Sequence, residues 1–390
     1  MRPAVALVGA AGHGAWHLRS ITALHRSGRL RMVGVCDVRS LSDASRALLP
    51  PGTGLFTDHR SMLAAMRPDV VVVATPPHTH LEIAGDVVTA GADLELEKPP
   101  LVRLADHRRL TALVAATGRR CQVNFQSLAS PALVELERAI ATGRLGRVSG
   151  IAVAGTWLRD DSYWRRSAWV GRRQLDGSPV VDGALSNPFA HAVMNALVLA
   201  RAACGRADPE RVELDLYRVR DIEVEDTACL RATFPGGVRV LVAVTLCAPV
   251  HLPPRILVSG DAGRAELWYT EDRLRLPGEV APRSVPGRVG MLENLLDHRD
   301  DPARVPLLAP LERTEPFTRL VEAIQSSPPP RRIDPRFLEV RGDGPERQVL
   351  VAGVAEAVEA AAERLALFSE IGAPWSSPDL PVPAPHASTR

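Results

Sequence analysis

Residues 4–14 read Ala4-Val5-Ala6-Leu7-Val8-Gly9-Ala10-Ala11-Gly12-His13-Gly14, an apolar run that breaks into a glycine cluster. Five successive apolar residues suit a buried strand, and the amphipathic pattern over 15–25 suits a helix. Strand, tight turn and helix therefore follow one another at the start of the chain. The alternation continues to about residue 125, with apolar runs at 32–35, 70–74, 94–96 and 122–125. Amphipathic segments at 81–90 and 105–117 lie between them. Strands this apolar need cover on both faces, so they predict a doubly wound parallel sheet, an α/β fold of Rossmann type.

The turn has a chemical reading. The usual dinucleotide fingerprint is Gly-x-Gly-x-x-Gly, whose glycines allow the tight turn, close approach of a pyrophosphate, and tight helix packing. Gly9 and Gly14 hold the first and third places, Ala11 holds the second, and Gly12 and His13 complete the loop. Asp37 ends the second strand, where a carboxylate accepts both ribose hydroxyls and favours NAD. Arg39 nearby keeps NADP possible, since a guanidinium can take a 2′-phosphate. The strand at 70–74 stops at Thr75-Pro76-Pro77-His78. Carboxyl ends of strands face the ligand crevice in such sheets, so these four residues are expected to line the cofactor. His80 is read as an exposed residue at a helix start.

The chain has 390 residues, 46% hydrophobic and 24% charged, with a formal charge of +2. That near-balance, without a basic block, argues against nucleic acid or an anionic membrane as partner. No apolar run approaches the roughly 20 residues of a bilayer span. Five scattered cysteines without a Cys-x-x-Cys give no zinc or disulfide framework, so no metal is predicted and a reducing, cytoplasmic compartment is expected. Of the 47 basic residues, 46 are arginine. The one lysine, Lys98, stands in Glu97-Lys98-Pro99 after the strand at 94–96. Lysine differs from arginine chiefly in being able to lose its proton. Carbonyl–alcohol interconversion needs such a group beside the nicotinamide.

Beyond residue 150 the strands mix apolar and polar residues, and Phe234-Pro235-Gly236-Gly237-Val238 reads as a hairpin turn. Leu241, Ala243, Cys229 and Cys247 fall on the second face of that sheet, which predicts a partner subunit there. Residues 348–368 read as one long alanine-rich helix. The expected organisation is a dinucleotide domain over 1–125, a substrate and oligomerisation domain over 126–372, and a flexible proline-rich tail over 373–390.

Taken together, Gly9…Gly14 with His17, Val-Val-Ala-Thr-Pro-Pro-His, Glu97-Lys98-Pro99 and Gly143-Arg-Leu-Gly146-Arg-Val resemble the glucose–fructose oxidoreductase / inositol dehydrogenase / MocA family. The resemblance implies a C-terminal α/β domain with a large, mostly antiparallel open sheet, through which members form homodimers or homotetramers. It implies an NAD(P)-dependent oxidoreductase acting on a hydroxyl or keto carbon of a sugar, cyclitol or glycoside. Lys98 would then transfer the proton and Glu97 would help place the nicotinamide ribose. The family's second motif, an aspartate followed four residues later by a histidine, falls here on Asn187 and His191. Asn187-Pro188 is also a good helix cap with proline at the first helical position. Tyr163, Trp164, Arg165, Arg166 and Trp169, on an aromatic and arginine-rich stretch, are candidate substrate contacts, as is Gln126. Redox-neutral chemistry on tightly bound NAD, and a non-catalytic sugar or NAD sensor of the same fold, are the competing readings.

Overall fold

In the computed structural model, residues 2–206 and 208–376 and the backbone of 382–383 are described. The chain forms two compact units. One holds the chain up to Phe125 together with Gly290–Thr318, and the other holds Gln126–Val289 with the chain from Arg319 onward.

The first unit is built on six parallel strands: β1 Ala4–Val8, β2 Arg31–Cys36, β3 Gly54–Phe56, β4 Val70–Val73, β5 Asp93–Leu96 and β6 Cys121–Val123. Their order is β3-β2-β1-β4-β5-β6. The order reverses at β1, so the carboxyl ends of β1 and β4 flank the crevice where such sheets bind ligands. Helices α1 Gly14–Arg26, α2 Asp43–Ala47, α3 His59–Met66, α4 His80–Thr89 and α5 Leu104–Thr117 connect the strands. Every residue of β1 and β4 is buried, as continuous apolar strands require.

The sequence sets a single boundary at residue 125; the chain instead returns to this unit through Gly290–Thr318. Helical residues Leu292, Leu295 and Leu296 join the core of Val5, Leu7, Leu18 and Ile21. The buried Gln122 amide donates to the Met291 carbonyl and to Asn294. A contribution from so far along the chain leaves no local trace in the sequence.

In the second unit, α6 Pro131–Ala141 leads into β7 Val148–Thr156, α7 Asp161–Arg165, the short strands β8 Gln174–Leu175 and β9 Ser178–Pro179, and α8 Ala190–Cys204. The strands β10 Arg211–Arg218, β11 Thr227–Thr233, β12 Arg239–Thr245, β13 Arg255–Gly260, β14 Gly263–Trp268, β15 Arg273–Arg275 and β16 Arg283–Ser284 follow. With β17 Arg331–Arg332 they make a large mixed sheet in the order β16-β15-β14-β13-β7-β12-β11-β10-β17. Most neighbours are antiparallel; β7 runs parallel to β12, and β10 to β17.

The four second-face residues read as contacting a partner subunit are covered by the chain itself. Strands β18 Leu338–Arg341 and β19 Gln348–Val351 and helix α11 Val354–Arg364 lie on the second face. There Leu241, Ala243, Cys229 and Cys247 pack against Val354, Val358 and Ala361 and are fully buried. A side chain at Gly150 would strike Leu365, whereas one at Gly155 would strike Phe189. Alternate strand positions thus meet different covering segments. Residues 348–368 are not one helix. Val349-Leu350-Val351 pair with β18, and Gly353, in a left-handed conformation, separates that strand from α11.

The first residues of the expected proline-rich tail are packed on the second unit. Ala373 and Trp375 are buried, and the Trp375 ring meets Tyr217 and Phe368. The backbone at Val382–Pro383, β20, pairs with β10. The rest of the expected tail, 377–381 and 384–390, lies outside the described residues. All five cysteines are free thiols, and no helix among the described residues is long and apolar enough to cross a membrane.

Candidate active site

The glycine turn is held by contacts that exclude side chains. A Cβ on Gly9 would lie 2.6 Å from the Ala74 carbonyl oxygen, and Gly9 has φ +86°. A Cβ on Gly14 would lie 2.0 Å from the Gly9 carbonyl oxygen. Gly12 has φ +57° and meets nothing within 4 Å, so the loop is open where a pyrophosphate would approach. Ala11, in the second fingerprint place, takes no positive φ; its carbonyl accepts from the Gly14 N–H at 3.0 Å. The Asp37 carboxylate accepts from the N–H groups of Ala10 (2.8 Å) and Ala11 (3.2 Å) and from Arg39 (2.9 Å). Asp37 therefore fastens the turn to the end of β2, and the exposed Arg39 side chain stays 3.8 Å away. Glycines where a Cβ would collide, together with an open loop and a carboxylate beside it, fit a dinucleotide.

At the end of β4, Thr75 and Pro76 are half-buried, Pro77 is buried and His78 is exposed. His80 is not exposed but fully buried. Its Nε2 faces the Thr75 carbonyl at 2.8 Å, and its Nδ1 faces those of Pro99 and Pro100 at 3.1 and 3.0 Å. One ring thus ties the loop after β4 to the segment after Lys98. Burial holds the His80 pKa below its ordinary value despite these carbonyls.

Glu97 is the hub of the unit. Its carboxylate is buried, and Oε1 lies 2.7 Å from His17 Nε2 and 3.2 Å from His13 Nε2. Asn124 donates to the same oxygen, and the Lys98 N–H donates to Oε2 at 2.9 Å. Burial opposes the charge, yet the bonds from His13 and His17 hold Glu97 well below the usual carboxylate range. Burial likewise opposes a charge on His17, but the bond to Glu97 and the nearby carboxylates raise it. Glu95, two residues back on the same face of β5, is pushed up to about 7 by desolvation. Besides the ribose contact expected of it, Glu97 has a structural role: it joins the helix after the glycine turn to the backbone of Lys98. His13, His17 and Glu97 bring three potential ligand atoms within 4.8 Å of one another, although hydrogen bonds already satisfy Glu97.

In the second unit, Asn187 is not a helix cap. The helix begins at Ala190, with Phe189 at its N-cap. The Asn187 amide donates to Asp182 Oδ1 at 2.5 Å, while Asp182 Oδ2 accepts from Gly171 N–H at 3.0 Å. Asp182, five residues earlier, thus orients the Asn187 amide. His191 is half-buried on the first turn of α8. Beneath the 182–187 segment, buried Glu225 accepts from Leu185 N–H at 3.1 Å, and a side chain at Gly183 would collide with its carboxylate. Desolvation raises Glu225 to about 7.

The aromatic segment divides in two. Tyr163 lies between two guanidiniums, with Arg166 3.6 Å and Arg159 5.1 Å from its ring centroid. Trp169 lies 5.6 Å from Arg166, which reaches 3.9 Å from Asp182. Trp164 turns toward Gly171 and Arg220 instead, and exposed Arg165 pairs with Asp161 at 3.5 Å. Gln126 is exposed, and its carbonyl accepts from Arg288. Sequence reasoning missed Trp157, Asp182 and Asn124. Trp157 stacks on Phe189 at 4.4 Å and on His251 at 5.2 Å. Asp182 stands in the motif stretch, but its five-residue separation from Asn187 gives no periodic signal in the sequence.

A doubly wound sheet with this glycine turn defines a dinucleotide-binding Rossmann protein. A family model described as "Oxidoreductase family, NAD-binding Rossmann fold" matches residues 4–125, and the GFO/IDH/MocA C-terminal domain matches 133–266. The chain belongs to the Gfo/Idh/MocA oxidoreductase family, and its Rossmann domain is of the NAD-binding kind. It is 32% identical over 143 residues to inositol 2-dehydrogenase 1 of Saccharopolyspora erythraea, a match covering 36% of this chain and 42% of that protein. It is 27% identical over 153 residues to D-glucoside 3-dehydrogenase of Escherichia coli, covering 39% and 43%. The matches thus span less than half the length of these two relatives. The WlbA dehydrogenase of Bordetella pertussis, solved with NADH and UDP-GlcNAcA, superposes with a TM-score of 0.69 at 24% identity. That superposition covers 83% of this chain and 95% of the WlbA chain, and establishes the shared fold.

Proposed function

We propose that the protein is an NAD(P)-dependent dehydrogenase or reductase, acting on a hydroxyl or keto carbon of a sugar, cyclitol or glycoside, with Lys98 as the proton-transfer residue. The observation that carries this reading is the Glu97 carboxylate, bonded at once to the Lys98 N–H at 2.9 Å and to His17 at 2.7 Å. It couples the lysine's backbone to the helix that opens at the glycine turn. Gly9, Ala11, Gly12, His13, Gly14 and Asp37 would hold the dinucleotide, with Thr75–His78 along the crevice. When bound, the nicotinamide supplies the redox half of the reaction.

The chain's own residues supply the proton half. In the oxidative direction the Lys98 amine accepts the alcohol proton, a role arginine cannot take because it does not deprotonate. Asn187, oriented by Asp182, and His191 hydrogen-bond to substrate hydroxyls; a neutral imidazole both donates and accepts. Names of relatives that act on inositols and glucosides agree with a polyhydroxylated substrate.

The test is Lys98→Arg. The variant should bind NADH as the parent does, by fluorescence titration, and lose about 10²–10⁴-fold in turnover, the usual worth of a positioned acid or base. Undiminished turnover would remove Lys98 from the chemistry.

A further inference from the structure

We propose that Arg159, with Tyr163 and Arg166, forms a subsite for an anionic group of the substrate, a carboxylate or phosphate carried by the sugar; this deepens the oxidoreductase reading and rests on it. Arg159 is half-buried, and its Cζ lies 5.0 Å from the Trp157 ring centroid and 5.1 Å from that of Tyr163. The two rings fix the guanidinium in place. Its donors are largely unspent. A guanidinium carries five N–H groups, and among the described residues the Arg159 side chain makes one hydrogen bond, from Nη1 to the Leu158 carbonyl at 3.1 Å.

The acids around it are committed elsewhere. Asp160 caps α7 through Tyr163 N–H and takes the Ser162 hydroxyl. Asp161 faces Arg220, Arg347 and Arg165. Asp182 holds Gly171 N–H and Asn187. Among the described residues no carboxylate lies within 4.0 Å of the Arg159 guanidinium, whereas the buried Arg220 beside it has Asp161 at 3.4 Å. A cation fixed between two rings without a counter-charge is preorganised for an anion, which its planar fork binds through two parallel hydrogen bonds. A neutral hydroxyl satisfies fewer of those donors.

Its location matches the substrate reading. Trp157 stacks on Phe189, two residues before His191. On the other side Arg166, over Tyr163, leads to Asp182 and so to Asn187. The cation therefore adjoins the residues proposed to hold the substrate hydroxyls.

The experiment is calorimetric titration of the NADH-loaded protein with glucose, glucuronate, glucose 1-phosphate and UDP-glucose. At least one anionic probe should bind about tenfold or more tighter than glucose, a difference of about 1.4 kcal/mol, and lose that margin as salt rises. Preference for glucuronate or glucose 1-phosphate assigns a free sugar acid or phosphate, and preference for UDP-glucose alone assigns a nucleotide-linked sugar. Arg159→Gln should abolish the preference and Arg159→Lys restore part of it. Should the glutamine variant melt below the working temperature, the lysine variant carries the comparison by weakening the preference. Equal binding of all four probes, no binding of the anions at millimolar concentration, or a preference unchanged in both folded variants overturns the subsite. The same titrations on Lys98→Arg separate the two proposals. Persistent anion preference alongside full turnover keeps the subsite and sinks the lysine assignment; turnover lost with no preference in either protein does the reverse.

Discussion

The two units handle buried charge in opposite ways. In the first, Glu97 gathers His13, His17, Asn124 and the Lys98 N–H onto one carboxylate, so its own oxygens are satisfied. In the second, guanidiniums lie against rings, and Arg159 keeps most of its donors open. A hydrogen-bonded network rigidifies its surroundings, and an open guanidinium is what the proposed subsite uses. The first unit is a fixed holder for a dinucleotide whose shape does not vary. The second, under the proposed function, would offer its open guanidinium to a substrate.

The sharpest way to break this contrast is to remove the hub. Glu97→Leu strips partners from His17 and Asn124 and should cost about 3–5 kcal/mol, as removal of one member of a buried pair does. Urea denaturation measures it, and a loss under 1 kcal/mol would show the node to be dispensable. Gly14→Ala comes next. Its Cβ would meet the Gly9 carbonyl at 2.0 Å, and overpacking against backbone should cost about 1–3 kcal/mol. NADH binding should fall with it, by fluorescence titration; unchanged affinity would mean the turn relaxes freely.

A third comparison uses pH, because each unit buries one carboxyl raised to about 7, Glu95 and Glu225. A raised carboxyl binds its proton more tightly folded than unfolded. Its contribution is full below the ordinary value of 4.5 and is lost as pH climbs through 7. Glu225→Gln should therefore flatten the fall in stability between pH 5 and 8, gaining about 1–3 kcal/mol at the alkaline end. Glu95→Gln should act in the same sense. Melting curves across that range that parallel the parent's would contradict both shifts. Ala11→Gly, restoring the usual fingerprint, sits at the small end. Ala11 already takes an ordinary φ, so the change should cost less than about 1 kcal/mol by melting temperature and leave NADH affinity within a few-fold.

Much of the first unit was legible because its signals are local. The strand-turn-helix of residues 4–26, the apolar run of β4 and the lysine after β5 depend on neighbours a few residues away. The second unit was read less well. Its covered second face and the packing of Trp375 on Tyr217 depend on contacts between residues more than 100 positions apart, such as Cys229 with the segment around Phe368, while the strand inside the expected helix forms by pairing with β18.

By itself the sequence determined the parallel sheet, the glycine turn at Gly9–Gly14 and the placing of Lys98 after a core strand, since strand periodicity and glycine's freedom at positive φ are properties of short segments. Tertiary structure alone decided that Glu97 binds His17 and Asn124, that Asn187 pairs with Asp182, and that α11 covers Leu241 and Ala243. Those outcomes turn on which buried polar group finds which partner and which apolar face finds cover. Residues brought together from separate parts of the chain settle both.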